Sequence, residues 1–357
     1  MNNGQNSFVI GQREIGLGKP AYIIAEMSGN HGQSFEQAVD ILRAAKEAGA
    51  DAVKLQTYTA DTMTIKSDAP HFQIKGSLWD GRGLYELYEE AHTPWEWHAP
   101  LKKIADEIGI DFFSTPFDET AVDFLEELNV PVHKIASFEM TDTQLLKKVA
   151  ATGKPVIMST GMATVEEIEE SVKTLRDANA GKIALLKCTS SYPAPPEEMN
   201  LRSIPYLAEK FGVVSGLSDH TLGYSVPVAS IALGACIIEK HFTLSRELPG
   251  PDTAFSLEPA EFKAMVEAVR TVEQALGTVT FGSNEQEAKS RVFRRSLFVV
   301  EDMQPGEIFT PQNLRAIRPG YGLPPKHLTE VYGRKASVAI SRGTPLDWTL
   351  LEKPDNQ

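Results

Sequence analysis

Cysteine is scarce in this sequence: Cys188 and Cys236 are the only two in 357 residues, and both sit inside apolar runs. That argues against a disulfide framework and for buried thiols in a reducing compartment. Long hydrophobic runs are missing as well. No stretch approaches the roughly 18 to 20 apolar residues that a membrane helix needs, and the opening MNNGQNSFVIGQREIG lacks a basic segment followed by an apolar one. The expectation is a soluble, unexported, cytoplasmic protein with no membrane partner. Positive charge is in deficit: 35 Lys and Arg against 48 Asp and Glu leave a formal net charge of -13. That balance argues against nucleic acid and anionic lipid surfaces, so a phosphate-bearing ligand needs a local cationic pocket. No G-x-G-x-x-G follows the first apolar run, which argues against a dinucleotide-binding open sheet.

What is present is a repeated unit of a short apolar run, a polar loop and a helix with apolar residues three and four apart. The runs are AYIIAEM, AVKLQTY, DFFSTPF, VHKIASF, PVIMSTG, IALLKCT, VVSGLSD and CIIEKHF. Helical segments such as SFEQAVDILRAAKEAG and TVEEIEESVKTLRDAN start at Ser or Thr caps and end at Gly or Asn. Eight strand-helix units in about 250 residues predict an α/β fold of the (β/α)8 TIM-barrel type. Between the second strand and its helix lies an aromatic-rich insertion, roughly Thr59 to Pro94, expected to act as a lid or a substrate wall. The expected domains are a barrel over 1–281, a polar linker over 282–294 and a small, mostly β module over 295–357.

In a (β/α)8 barrel the chemistry sits at the C-terminal ends of the strands. Those ends carry Glu26, Lys54, Gln56, Thr115, Lys134, Ser137, Glu139, Ser159, Ser190, Tyr192, Ser218, Asp219, His220, Glu239, Lys240 and His241. Lys54 and Lys134 each interrupt an apolar strand, and such lysines are seldom buried without a partner. An ion pair with Glu26 or Glu139 is one use for them. With Ser137, Ser159, Ser190 and Ser218 as donors, a phosphate pocket is the other. His220 and His241 end adjacent strands, about 5 Å apart in such a barrel, and can share a divalent ion. Two imidazoles with oxygen donors such as Glu26, Asp219 or water suit Mn²⁺ or Mg²⁺ better than a closed zinc site. His31, His92, His98, His133 and His327 are read as core or rim residues.

Taken together, IIAEMSGNHGQ, AVKLQTY, FFSTPFD, HKIASFE, IMSTGMA, CTSSYPAP, GLSDHT, IEKHFTL, GPDTAFS and RRSLFVVEDMQPGEIFT...RPGYGL resemble the sialic acid synthase family across essentially the whole chain. The resemblance implies an enzyme, a transferase that condenses phosphoenolpyruvate with an amino sugar to make a nine-carbon acid. It also implies a divalent metal and a C-terminal antifreeze-like (SAF) domain after the barrel. Position by position it implies His220 and His241 as metal ligands, and Lys54, Lys134, Ser137, Ser159, Ser190 and Ser218 around phosphoenolpyruvate. Glu26, Tyr192 and Asp252 fall near the sugar, Glu26 as the proton-handling group, with Thr115 and Glu139 as further substrate contacts. The chain reads CTS where the sialic acid branch commonly reads CTN, so Ser190 is shorter than the usual residue there. The resemblance further implies a homodimer in which the SAF module is swapped and Arg318 reaches the partner's sugar. GSLWDGRGLYELYEEAHTPWEWH most resembles the branch whose substrate is 2,4-diacetamido-2,4,6-trideoxy-β-L-altropyranose, a diacetamido hexose. Branches using other amino sugars remain open, as do a lysine Schiff-base aldolase and a non-catalytic sugar-binding protein.

Overall fold

The structure, a computed structural model, describes residues 7–76 and 79–353. Ser77 and Leu78, inside the family-like GSLWDGRGL stretch, lie outside the described residues. The chain divides into two compact units, Met1–Gly277 and Thr278–Gln357.

The first unit begins with an antiparallel hairpin of β1 (Phe8–Ile10) and β2 (Arg13–Ile15). Eight parallel strands follow: β3 (Tyr22–Glu26), β4 (Ala52–Thr57), β5 (Asp111–Pro116), β6 (His133–Ile135), β7 (Val156–Ser159), β8 (Ile183–Cys188), β9 (Val214–Asp219) and β10 (Ile237–His241). They close into a barrel when β10 pairs with β3, in a register that sets His241 opposite Glu26. The expected TIM-like barrel is thus the observed one, on the eight runs read from the sequence.

Alternation along each strand explains what the barrel holds. Residues of one parity point inward, and their character changes along the strand. Tyr22, Ile24, Ala52, Phe113, Ile157, Leu186 and Ile237 form one buried cluster with Phe8, Ile10 and Ile15 of the hairpin, which closes the lower end. Two residues further on, the same faces carry Glu26, Lys54, Thr115, Ser159, Cys188, Ser218 and Glu239, which line a cavity. The opposite parity, with Ile23, Val53, Leu55, Phe112, Leu217 and Ile238, packs outward against helix residues such as Ile41, Leu42, Leu101 and Phe262. Helices are anchored directly after the strand-end loops by side-chain caps: Ser34, Asp118, Asp142 and Thr164 each accept a backbone N–H of the first turn. Such a cap is typically worth about 1 kcal/mol.

The insertion is not an open loop. It carries the helices Ala60–Met63 and Leu84–Ala91, the first opened by a Thr59–Thr62 capping box, before the barrel helix Trp95–Ile108 begins. The hairpin and these short helices were not read from the sequence, because segments of three to eight residues hold too few periods to stand out.

The second unit pairs β11 (Ser296–Val299) with β12 (Leu314–Ile317), and isolated bridges such as Met303↔Ile340 and Ala336↔Leu351 make up much of the remaining pairing. Its own core holds Leu297, Val299, Phe309, Leu314, Val331, Ile340 and Leu346. The segment 282–294, expected as a linker, carries a short helix, Glu285–Ser290, and a 3-10 turn, Arg291–Phe293. Asn284 caps that helix in a box with Glu287, which explains why a polar stretch is ordered locally. Among the described residues, no helix is long and apolar enough to cross a membrane.

Candidate active site

Glu26, Lys54, Thr115, Lys134, Ser137, Ser159, Tyr192, Ser218, His220 and His241 all border one small cavity of about 50 Å³ at the polar end of the barrel. Lys54 and Lys134 are buried side by side around Glu239. Lys54 Nζ lies 2.6 Å from Glu26 Oε2, 3.0 Å from Thr115 Oγ1 and 3.9 Å from Glu239 Oε1. Lys134 Nζ lies 2.8 Å from Ser159 Oγ and 3.4 Å from the same Glu239 oxygen, which also accepts from Ser218 at 3.3 Å. Lys54 takes the expected ion pair with Glu26, whereas Lys134 pairs with Glu239 in place of the expected Glu139, and both lysines line the cavity.

The electrostatics distribute the protons. Burial alone would raise Glu239, but Lys134 and Lys54 outweigh it and hold this carboxyl below its ordinary range. Glu26 is pushed up to about 7 by burial, against the pull of Lys54 and with a further push from Glu239. One carboxylate is therefore firmly charged and its neighbour titrates near neutrality, the division that a proton-handling group needs. Two ammoniums against one firm carboxylate leave room for an anion. Ser137 and Gly161 shape its edge: Gly161 N–H donates to Ser137 Oγ at 3.0 Å, and a Cβ at Gly161 would fall 2.2 Å from Ser190 Oγ and 2.7 Å from Ser137 Oγ. Ser190 borders this crowding, with its Oγ buried and unpartnered.

His220, the residue after β9, and His241, the last residue of β10, have ring centroids 5.3 Å apart. The Thr189 carbonyl, 2.9 Å from His220 Nδ1, can only accept, so Nδ1 carries a proton and Nε2 is the nitrogen left to meet a ligand. Burial would lower this imidazole, but Cys188 and the Thr189 carbonyl outweigh it and raise it above the ordinary histidine range. Burial, then His220 and the nearby lysines, hold His241 well below the ordinary histidine range, so it is neutral, and its Nδ1 is buried without a partner. Among the described residues no three His, Cys, Asp or Glu side chains are placed to hold a metal by themselves. His241, neutral and with an unpartnered nitrogen, stands with His220 beside the spare Glu239 Oε2, a set that fits an open site completed by water or substrate oxygens. Behind the pair, Lys240 points outward. It is fully buried, 2.5 Å from Asp219 Oδ2 and hydrogen-bonded to the Thr221 carbonyl, so it ties the segment bearing His220 to the strand bearing His241.

Tyr192 and His241 also border a second cavity of about 380 Å³, together with Glu139 and Asp252. Burial pushes Glu139 up to about 7 and raises Asp252 as well. Asp252 accepts from Ser28 Oγ, and Gln56 Nε2 donates to Ser28 Oγ and to Glu26 Oε1 at 3.0 Å each. A larger groove of about 860 Å³, bordered by Lys187, Arg202 and Tyr206, holds none of these groups. Arg318 belongs to the second unit, at the end of β12, where it is exposed.

Ser28, Gly161 and Cys188 were not given a site role from the sequence, and Gln56, Glu239 and Lys240 were noted at strand ends without one. Glu239 had a signal: in IEKH, period-2 alternation puts Glu239 and His241 on one face and Lys240 on the other. Gly161 had none, because its part lies in a backbone N–H and a missing Cβ.

A lysine-serine anion pocket beside paired histidines, at the polar end of a (β/α)8 barrel, defines a class of barrel synthases. The chain belongs to the NeuB family, which matches residues 41–281, and residues 294–352 match the SAF domain. It is 47% identical over 328 residues to the pseudaminic acid synthase of Campylobacter jejuni, covering 92% of this chain and 96% of that one. It is 36% identical over 354 residues to an N,N'-diacetyllegionaminic acid synthase of Legionella pneumophila, covering 98% and 99%. Among solved structures it resembles an N-acetylneuraminic acid synthetase of Leptospira borgpetersenii, with TM-score 0.72 and 31% identity over 81% of this chain and 96% of that one.

Proposed function

We propose that the chain is a pseudaminic acid synthase. It condenses phosphoenolpyruvate with 2,4-diacetamido-2,4,6-trideoxy-β-L-altropyranose to give pseudaminic acid and phosphate. The observation that carries this is a cationic pocket continuous with a larger, largely apolar cavity, sharing Gln56, Phe117, Ala136, Tyr192 and His241. Its support from relatives is the 47% identity to a pseudaminic acid synthase against 36% to a legionaminic one.

Lys54, Lys134, Ser137, Ser159 and Ser218 hold the carboxylate and phosphate of phosphoenolpyruvate, with Ser190 and the Gly161 edge shaping the phosphate end. Tyr192, Asp252 and Glu139 orient the open-chain sugar so that its aldehyde carbon meets C3 of the enol. When C3 bonds to that carbon, the aldehyde oxygen takes the proton of Glu26 and positive charge develops at C2. Water adds at C2 and gives its proton back to the Glu26 carboxylate near pH 7, and the C2–O bond breaks as the new C2 hydroxyl passes its proton to the departing phosphate. A divalent ion, Mn²⁺ or Mg²⁺, held by His220 and His241, would supply Lewis-acid polarisation of the aldehyde oxygen. Thr115 acts through Lys54, which it holds by a 3.0 Å hydrogen bond.

The assembly belongs to the same proposal: a cytoplasmic homodimer with swapped SAF modules, in which Arg318 of one protomer contacts the sugar in its partner's barrel. Mixing Lys54→Ala with Arg318→Ala subunits under exchange then restores one intact site per heterodimer, and a dead mixture sinks the swap. The reaction itself is tested by phosphate release with a panel of amino sugars, and by turnover in ¹⁸O-water. Label belongs in the nine-carbon acid; label in phosphate defeats C–O cleavage. A lysine aldolase, by contrast, would be trapped by borohydride with pyruvate and would work in chelator.

A further inference from the structure

The insertion after β4 is the part of the barrel unit that the chemistry above leaves without a use. It is fixed to the barrel from both sides. Trp79 Nε1 donates to the Pro251 carbonyl at 3.0 Å, and its ring stands 5.8 Å from Tyr192. Gln33 Nε2 donates to the carbonyls of Glu90 and His92 at 2.8 and 2.7 Å. Gly29 makes the close approach possible, since a Cβ there would lie 2.7 Å from Pro251 Cγ and 3.3 Å from Ala91. Tyr58 stacks edge-on with both Tyr88 of the insertion and Phe117 of the barrel, at 5.7 and 5.1 Å. A segment held at this many points is a wall of the cavity.

That wall is mainly apolar. Met63, Ile74, Trp79, Leu84, Leu87 and Tyr88 face the 380 Å³ cavity from the insertion side, with the exposed Lys75 beside Ile74, while Ser28, Gln56, Glu139 and Asp252 supply polar groups from the barrel side. A sugar ordinarily presents hydroxyls all round, and a hydroxyl pressed on aliphatic side chains loses its hydrogen bonds to water with no replacement. A methyl group in the same place gains burial instead. The two-faced cavity therefore suits an acceptor whose hydroxyls gather on one side and whose methyl groups gather on the other.

The geometry points to the insertion as the selectivity filter for the acceptor: Met63, Ile74 and Leu87 favour deoxy and N-acyl substituents over hydroxyls. This rests on the synthase reaction proposed above, and it assigns to named side chains the choice among amino sugars. Because apolar pockets reject an added hydroxyl by only about 10²-fold, the filter grades acceptors and does not reject all but one.

The test compares kcat/KM for the diacetamido 6-deoxy hexose and for its 6-hydroxy counterpart in the wild type, Met63→Gln and Ile74→Thr. Both side chains are half-buried, which keeps the substitutions mild. The wild type favours the deoxy sugar by about 10- to 100-fold. In one or both variants that ratio falls at least five-fold, while phosphoenolpyruvate affinity by calorimetry stays within about two-fold, as for an independent site. If the wild type turns over the deoxy sugar and the ratio is unchanged in both variants, the filter is overturned and the synthase reading stands. If the wild type turns over neither sugar, the synthase reading falls and the filter with it.

Discussion

The two ends of the barrel bury similar kinds of group and treat them oppositely. At the lower end, Asp51 accepts from the Ile23 N–H at 2.9 Å and pairs with Arg13 at 2.9 Å and Arg270 at 3.3 Å. Asp111 accepts from Tyr22 at 2.7 Å, and Glu273 takes the Ala21 N–H at 2.6 Å. At the upper end, Glu239 Oε2, Glu139 Oε2, Ser190 Oγ and His241 Nδ1 are buried with no hydrogen-bond partner. Glu26 Oε2 meets Lys54 at 2.6 Å, though off hydrogen-bond geometry. An unpaired buried polar atom costs about 1–3 kcal/mol, so the upper end is a region of stored cost that a ligand can relieve. The lower end closes the structure, and the upper end is kept ready for substrate.

The largest effects are expected where the contrast is sharpest. His220→Ala and His241→Ala should each cut phosphate release by ~10³-fold or more. The thermal midpoint should hold or rise in His241→Ala, whose Nδ1 has no partner, and fall in His220→Ala, which loses its bond to the Thr189 carbonyl. Steady-state assays with added Mn²⁺ beside calorimetry check both halves; full activity in both variants would remove the metal assignment. Lys134→Ala should lower kcat/KM for phosphoenolpyruvate by ~10²-fold, about the cost of one charged donor, and leave the sugar's KM close to its starting value. A selective rise in the sugar's KM would contradict the assignment.

The lower end should show the opposite signature. Ile10→Ala removes a fully buried plug residue and should cost about 2–5 kcal/mol in denaturant unfolding while both KM values stay put. Lys240→Met tests the boundary between the two behaviours: it strands Asp219, and about 3–5 kcal/mol of stability should go. If it acts on positioning as well, Mn²⁺ affinity measured by electron paramagnetic resonance should also weaken, and Lys240→Met/Asp219→Asn should recover stability but not affinity.

The smallest effect concerns pH. His98 is satisfied by Thr57 Oγ1 at 2.8 Å, yet burial lowers it from 6.5 to about 4. A depressed imidazole is held neutral in the folded state and protonates more readily when unfolded. Its contribution is complete above pH 6.5 and is lost as pH falls toward 4. His31, also lowered to about 4 by burial, adds in the same direction. Unfolding free energy should therefore decline across that window, and His98→Gln should flatten the slope; an unchanged slope would show that other groups govern it.

How much of this was legible depends on the range of the interaction. AYIIAEM and CIIEKHF show apolar inward positions giving way to a polar strand end, and that alternation is a local property, so eight strands, a barrel and the ring of strand-end groups could be read directly. The family motifs lie in the same strand-end loops. The hairpin Phe8–Ile15 reads as an ordinary apolar tail until the barrel gives it an opening to fill. The proton division between Glu26 and Glu239 depends on which carboxylate shares both lysines, and those four residues come from four strands spread along the chain. Likewise Met63 and Ile74 become a wall only when the insertion folds back across the cavity. Side-chain alternation and capping are written residue by residue, so the sequence by itself determined the elements and the chemistry each strand end offers. Which polar atoms are left unpaired, and which face each other, arises from closing β10 onto β3, and only the tertiary structure decided it.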